Sequence, residues 1–190
     1  METARAYCGK PVVISPVTFR PRFNPNATAK DGLLAAECDP RQTTGFGAAW
    51  TLGTLGRLAT SADVHSITFY ETAGLRGVMD SEGGPFPMWY VFAALRGWDL
   101  VCECESTEPL EVDGLALTRG DGAKRLLLAG FGREKQRVSI EHAGSGVAPA
   151  RALTARGWAS ETKLRAAGSI FEVEVPSENA LLMDWAGGAE

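Results

Sequence analysis

One carboxylate, Glu71, closes an otherwise apolar stretch of the sequence, residues 64–71 (VHSITFYE). A charged group at such a place costs free energy unless it has partners or water. Beside arginines, Glu71 could act as a general base, a nucleophile or an anchor for a substrate. The alternative interpretation is that Glu71 only pairs with Arg20 or Arg76 and holds the local structure together. The residues alone leave both interpretations open.

A second group of polar side chains follows the apolar stretch 11–19 and comprises Arg20, Arg22 and Asn24. The planar fork of an arginine side chain suits a carboxylate or sugar hydroxyls, although either arginine taken alone is typical of a solvated loop charge. Asn24 could hydrogen-bond a hydroxyl group, or it could form a turn before Pro25.

Two predicted strands position these groups. Residues 11–19 form an apolar, β-branched strand with Pro16 expected at its end, and residues 64–71 form the second strand. Helices are predicted over 39–60 and 86–96, so strands and helices alternate as they do in a parallel sheet covered by helices. Active sites in such folds gather at the carboxyl ends of the strands, where both polar groups lie.

The first helix has a recognisable start and an unusual composition. Asp39 is expected to be its N-cap, Pro40 fits the first turn, and Gln42 stands at the position of a capping box. Each glycine inside a helix costs about 1 kcal/mol relative to alanine, so the glycines of this segment indicate close packing against a neighbour. They are Gly45, Gly47, Gly53 and Gly56.

The pattern changes near residue 98, where short strand candidates begin to follow one another directly. They span residues 98–105, 110–118, 124–131, 136–142, 169–175 and 180–185, with a hairpin turn at 120–122. Residues 143–168 are expected to hold one irregular strand and a loop. Strands at this spacing are typical of an antiparallel β-sandwich, so we predict a domain boundary that separates residues 1–97 from 98–190.

Composition narrows the functional classes. The 190-residue chain carries a net charge of −4, which gives no general attraction to nucleic acid or to an anionic membrane. Its four cysteines form no C-x-x-C pair, and the first ten residues have no apolar core of a secretory signal, so we expect a cytoplasmic protein with reduced thiols. Two separated histidines give no zinc pattern, and the glycine-rich nucleotide motifs are missing, so we expect no metal and no cofactor.

Three segments together resemble the carboxyl-terminal part of the D-apionate lactonase family: residues 15–28 (SPVTFRPRFNPNAT), 39–55 (DPRQTTGFGAAWTLGTL) and 66–80 (SITFYETAGLRGVMD). The resemblance implies a glycoside-hydrolase-like (β/α)₈ (TIM-like) barrel followed by a β-sandwich. Residues 1–97 would then be the last two β/α units of the barrel, and residues 98–190 would be the sandwich domain. Residues 112–131 match the family's sandwich in pattern more than in motif.

The resemblance also implies a reaction, the opening of a sugar-acid lactone by water. Glu71 would be the base or a substrate anchor, and Arg20 and Arg22 would hold the acid or the oxyanion. Asn24 would bind a hydroxyl, and Arg76 would also bind the substrate. Two β/α units cannot close a barrel, so we expect this chain to be inactive alone and either to self-associate or to need a second chain that supplies the missing barrel.

Two other functions stay open. The chain could belong to a glycoside hydrolase of the same architecture, although the strand at 11–19 is not followed by the carboxylate that a retaining pair needs there. It could also be a non-catalytic chain, either a carbohydrate-binding sandwich or a remnant of an enzyme.

Overall fold

The computed structural model describes residues 2–20, 38–61, 63–141, 147–165 and 169–186. The helices are α1 Glu2–Cys8, a 3₁₀ helix Pro40–Thr43, α2 Gly45–Ala59 and α3 Pro87–Ala94. The strands are β1 Val12–Val17, β2 Val64–Phe69, β3 Glu71–Ala73, β4 Gly77–Met79, β5 Leu100–Cys102, β6 Val112–Thr118, β7 Lys124–Gly130, β8 Gln136–Glu141, β9 Val147–Thr154, β10 Gly157–Trp158, β11 Thr162–Arg165, β12 Ile170–Val175 and β13 Asn179–Trp185.

Strands β1 and β2 pair in parallel, as the alternation of strands and helices predicts. Val12 lies opposite Val64, and Val17 lies opposite Phe69. Pro16 was expected at the end of this strand, and it lies one residue before the last residue of β1. The peptide bond before it is cis, and the register shifts beside it, between Ile14 and Val17. A proline has no N–H to give to a ladder, so an irregular register is the place where a strand accommodates it.

The segment predicted as one helix over 39–60 is two helices. Asp39 caps the 3₁₀ helix by accepting a hydrogen bond from the backbone N–H of Arg41 at 3.0 Å. The extended backbone of Thr44 then ends this turn, and α2 begins at Gly45. The second predicted helix, over 86–96, is present as α3 with Pro87 in its first turn.

A seven-stranded sheet forms the centre of the molecule. Its strand order is β10-β9-β13-β7-β6-β5, and β11 also pairs with β9. The antiparallel pair β12 and β8 packs on one face of this sheet. The side chains between these layers come from both, and the buried ones are Val112, Leu126, Leu128, Ala148, Ala150, Phe171, Val173, Val175, Leu181 and Met183.

Residues 143–168 contain more strands than the one irregular strand that was expected. The described part of this segment contains β9, β10 and β11, and β9 pairs with β13 on one side. Its sequence, VAPARALT, is poor in β-branched residues and contains Pro149, so local preference argues against a strand. Burial of Ala148 and Ala150 in the sandwich core supports it as a strand.

The opposite face of the seven-stranded sheet is covered by α2 and α3. One buried cluster joins the two parts: Ala48, Leu52, Met88 and Val91 from the helices lie with Leu115, Leu127, Ala129 and Leu182 from the sheet. Strand β7 (KRLLLAG) is therefore buried on both faces, which explains its unbroken apolar run. Because the two parts share this core, the domain boundary near residue 98 stays a prediction.

Arg125 fastens the end of α3 to the sheet. Its guanidinium donates to the carbonyl oxygen of Ala94 at 2.7 Å and to the carboxylate of Asp184 at 2.6 and 3.0 Å. The same guanidinium lies 4.8 Å from the ring centre of Trp98, and Arg151 donates to Asp184 from the other side. These contacts hold the helix layer at a fixed position on the sheet.

The parallel pair of β1 and β2 presents a face that the described residues leave open. Every residue of both strands is exposed or only partly buried, and Val13 is 60% exposed. A parallel sheet of two strands is normally part of a larger sheet with both faces covered. Among the described residues, no helix is both long and apolar enough to span a membrane.

Candidate active site

Glu71 does not close a strand, because β2 ends at Phe69. Tyr70 follows with a φ of 49°, a left-handed conformation that is uncommon for a bulky residue. Its phenol is buried and lies 2.7 Å from the hydroxyl of Thr51, and burial raises the pKa of Tyr70. This anchored turn directs the chain out of the parallel pair, so that Glu71 begins the short strand β3.

Glu71 and Arg76 form an ion pair on a small ribbon. Strand β3 pairs with β4, and the backbone N–H of Glu71 donates to the carbonyl oxygen of Arg76 at 3.0 Å. The side chains meet as well, with Arg76 Nε 3.1 Å from Glu71 Oε1, and both side chains are partly exposed. Of the two partners proposed for Glu71, the structure places Arg76 beside it.

Arg20, the other partner proposed for Glu71, forms an ion pair with Asp39, with Arg20 Nε 3.8 Å from Asp39 Oδ2. Asp39 is a buried carboxylate, 8% exposed, and Arg41 binds both of its oxygens at 3.0 and 2.9 Å. The hydrogen bonds from Arg41 are the main reason that the pKa of Asp39 falls from 3.8 to about 2. Two arginines therefore lie around one carboxylate just beyond the carboxyl end of β1.

Gln42 connects the two charged groups. Its side chain does not complete a capping box at the helix start, as the spacing predicted. It is buried, and its amide N–H₂ donates to the carbonyl oxygens of Leu75 and Gly77 at 3.5 and 3.4 Å. These long hydrogen bonds hold the 3₁₀ helix, which carries Arg41, against the ribbon that carries Glu71 and Arg76.

Aromatic side chains lie beneath the strand ends. Phe19 contacts Trp50, Phe46 and Tyr70, with ring centres 4.4, 6.1 and 6.3 Å apart. Arg41 in turn lies over the ring of Phe46, 5.0 Å from its centre. Arg41 and its partner Asp39 are thereby attached to this aromatic cluster.

A cavity of about 350 Å³ opens between the first turns of α2 and α3 and the sheet. Thr43, Thr44 and Phe86 line it from the helices, and Thr154 and Asn179 line it from the sheet. The described residues that line this cavity carry no charge. The arginines and Glu71 are not among them, so this space is separate from the charged groups.

Arg22 and Asn24 lie outside the described residues, so the site is described for Arg20, Glu71 and Arg76. Sequence reasoning interpreted Asp39 and Gln42 only as parts of a helix start and did not single out Arg41. The D-P-R-Q segment held the signal, because an arginine two residues after a capping aspartate can reach back to it. Among the described residues, no group of three His, Cys, Asp or Glu side chains could hold a metal ion.

The fold of this chain is similar to parts of several solved glycoside hydrolases. The xylanase Xyn30A from Clostridium acetobutylicum, of glycoside hydrolase family 30 subfamily 8, aligns with a TM-score of 0.65 at 10% identity, over 95% of this chain and 43% of that one. A GH30 endoxylanase from Clostridium papyrosolvens aligns with a TM-score of 0.58 at 11% identity, over 75% of this chain and 38% of that one. A GH51 arabinofuranosidase from Xanthomonas axonopodis pv. citri aligns with a TM-score of 0.56 at 14% identity, over 74% and 36%.

The chain therefore spans less than half the length of these enzymes. The family model described as D-apionate lactonase, TIM barrel domain, matches residues 1–99, and the chain belongs to this family. No curated protein sequence matches it.

Proposed function

We propose that this chain supplies the last two β/α units of a barrel and the attached β-sandwich to a hydrolase that opens a sugar-acid lactone with water. The observation that carries the proposal is the ion pair of Glu71 and Arg76 just beyond the carboxyl end of β2, in a segment that matches a lactonase barrel. Arg20 lies beyond the neighbouring strand of the same parallel pair. Carboxyl ends of barrel strands are where active sites are built.

The proposed reaction needs few groups. Glu71 takes a proton from water while the water oxygen attacks the lactone carbonyl carbon, and the carbonyl oxygen becomes an oxyanion. Arg20 and Arg76 stabilise that negative charge, and in this proposal Arg22 shares this role. Asn24 binds a hydroxyl group of the substrate. The ring C–O bond then breaks, and the ring oxygen leaves as a hydroxyl with the proton from Glu71. The new carboxylic acid loses its remaining proton to water at neutral pH and becomes a carboxylate.

Catalysis in this proposal requires a complete barrel. Among the described residues, β1 and β2 pair only with each other, and Val13 on β1 is 60% exposed. We propose that the other β/α units cover this face, whether they are part of the same polypeptide or of a second one, and that the 190 residues alone do not turn over substrate.

The test is Glu71→Gln in a protein in which these residues complete a barrel. We expect kcat for aldonolactone opening to fall by about 10²–10⁴-fold, because glutamine cannot accept the proton. The rate of lactone opening is measured from the release of one proton per lactone opened at neutral pH. Glu82→Gln, an exposed neighbour in the same segment, is the matched control and keeps its activity. An unchanged kcat/KM in Glu71→Gln would show that Glu71 only holds the ribbon together.

A glycoside hydrolase is the second candidate, favoured by the fold of the structural neighbours. Residues 12–20, which contain β1 and its carboxyl end, include no aspartate or glutamate. The carboxylate that the structure places beside this strand end is Asp39, and Arg41 binds both of its oxygens, which disfavours Asp39 as the partner of Glu71 in a retaining pair. Activity of the complete barrel on aryl glycosides, with none on aldonolactones, would favour this second function. Activity on the lactones alone supports the first.

A further inference from the structure

Arg41 is held in place from two directions although it is 61% exposed. Its Nε and Nη2 atoms donate to the two oxygens of Asp39, and its guanidinium plane lies 5.0 Å from the centre of the Phe46 ring. Among the described residues, its Nη1 atom has no hydrogen-bond partner. An arginine whose side chain is already ordered loses little entropy when it binds a ligand.

Arg41 also lies near the strand ends that carry the proposed function. Asp39 places it next to Arg20 beyond the end of β1, and Gln42 ties its helix to the ribbon of Glu71 and Arg76. We infer that Arg41 is an anion-binding residue of this site and takes the carboxylate group of a sugar acid. Asp39 and Phe46 are the positioning residues that hold its guanidinium. This inference rests on the proposed function, because the product of lactone opening is such an acid.

One acidic residue opposes this role. Glu178, at the turn before β13, raises the pKa of Arg41 through its negative charge, although less than Asp39 does. A carboxylate ligand bound by Arg41 would be repelled by the negative charge of Glu178. The structure therefore predicts that removal of this charge strengthens the binding of an anion, whereas removal of Arg41 weakens it.

The chain contains a matched control for this arginine. Arg57 on α2 is 60% exposed and pairs with Asp113, which is 8% exposed, at 2.8 Å. Arg41 is similarly 61% exposed, its partner Asp39 is 8% exposed, and the distance between Arg41 Nη2 and Asp39 Oδ2 is 2.9 Å. Arg57, however, lies near the end of α2, against β6 rather than at the strand ends. A general attraction of anions to paired surface arginines would affect both residues equally.

The experiment compares D-gluconate with sorbitol, which has a similar polyol chain without the carboxylate, at constant ionic strength. Binding to the 190-residue chain is measured by calorimetry and by the Nε–Hε resonances of the arginines. We expect gluconate to bind more tightly than sorbitol, Arg41→Gln to weaken gluconate binding by about tenfold, and Glu178→Gln to strengthen it by about threefold. Arg57→Gln leaves it unchanged.

Equal affinities for gluconate and sorbitol, or an equal loss in Arg41→Gln and Arg57→Gln, would overturn the inference. The proposed function fails separately, if Glu71→Gln in the complete barrel opens lactones at the original rate. Arg41-dependent binding of gluconate together with such a result would leave a sugar-acid site without lactonase chemistry.

Discussion

Asp39 shows how much one residue contributes at the candidate site. Its carboxylate caps the 3₁₀ helix, binds Arg41 with both oxygens and draws Arg20 to within 3.8 Å. A buried carboxylate is stable only with such partners, and the same partners are thereby ordered at the strand end. Local helix structure and the arrangement of charge therefore depend on a single side chain.

Asp39→Asn keeps an oxygen that can cap the helix and removes the charge. The folded-state pKa of about 2 lies below the ordinary 3.8, so the ionised group stabilises the fold above about pH 4 and loses this effect as the pH falls toward 2. We expect the free energy of unfolding at neutral pH to fall by about 1 kcal/mol, a value kept small because solvent screens the exposed arginines.

Urea unfolding between about pH 7 and pH 3 checks this, because the difference between the wild type and Asp39→Asn should shrink as the pH falls. Asp121→Asn removes a carboxylate whose pKa is also lowered by an arginine, but which is exposed on a turn. Asp121→Asn should lower the free energy of unfolding by less than Asp39→Asn does. A difference that is constant over the pH range would contradict the electrostatic explanation.

At the scale of elements, α2 is adapted to neighbours on several sides. A Cβ atom at Gly47 would lie 2.1 Å from the carbonyl oxygen of Gln42, and one at Gly53 would lie 2.5 Å from the ring of Phe131. At Gly56 it would lie 3.1 Å from the carbonyl oxygen of Gly114 in β6. The glycines that weaken the helix by itself allow its close approach to the 3₁₀ helix and the sheet.

Gly47→Ala is the substitution that tests this packing. Alanine favours a helix by up to about 1 kcal/mol, but the clash is with backbone, which cannot rotate away, so we expect a net loss of about 1–3 kcal/mol in the free energy of unfolding. Thr54→Ala, on the same helix, is the control and should stay within about 0.5 kcal/mol. Urea unfolding measures both variants. A stabilised Gly47→Ala would mean that the 3₁₀ helix can move away without cost.

At the scale of the whole molecule, both faces of the seven-stranded sheet are covered, whereas no strand in the described part of the chain extends the parallel pair of β1 and β2. The sheet core and the helices form a complete unit around Leu127 and Leu182, both fully buried. Val13 on β1 is exposed to the extent of 60%. Unpaired strand edges beside exposed apolar side chains attract further strands.

We expect the 190-residue chain to associate with itself through this face in a concentration-dependent way. Val13→Lys should reduce the association, because a charge on an open strand face opposes pairing. Val147→Lys changes a valine of β9 that is 47% exposed and should leave the association unchanged. Light scattering over a range of concentrations is the measurement. A monomer at all concentrations, or an equal effect of both variants, would contradict the expectation.

Local patterns in the sequence were enough to predict most of the elements. Alternating residues in β12 (IFEVEV) and the apolar run in β7 (KRLLLAG) define strands, since the period of side chains along a strand is fixed by its geometry. The alternation of strands and helices before residue 98 likewise predicts the parallel pair of β1 and β2. Strand β9 could not be predicted, because its burial comes from neighbours and not from its own composition.

The candidate site divides in the same way. By itself, the sequence placed Arg20 after the strand of residues 11–19 and Glu71 at the end of the strand of residues 64–71, because the apolar pattern of each strand stops there. Only the tertiary structure decided that Glu71 binds Arg76, that Arg20 and Arg41 share Asp39, and that Gln42 joins the two groups. Ion pairs and buried amides between distant segments depend on the path of the chain in space, and that path is set by the packing of helices and sheet around a common core.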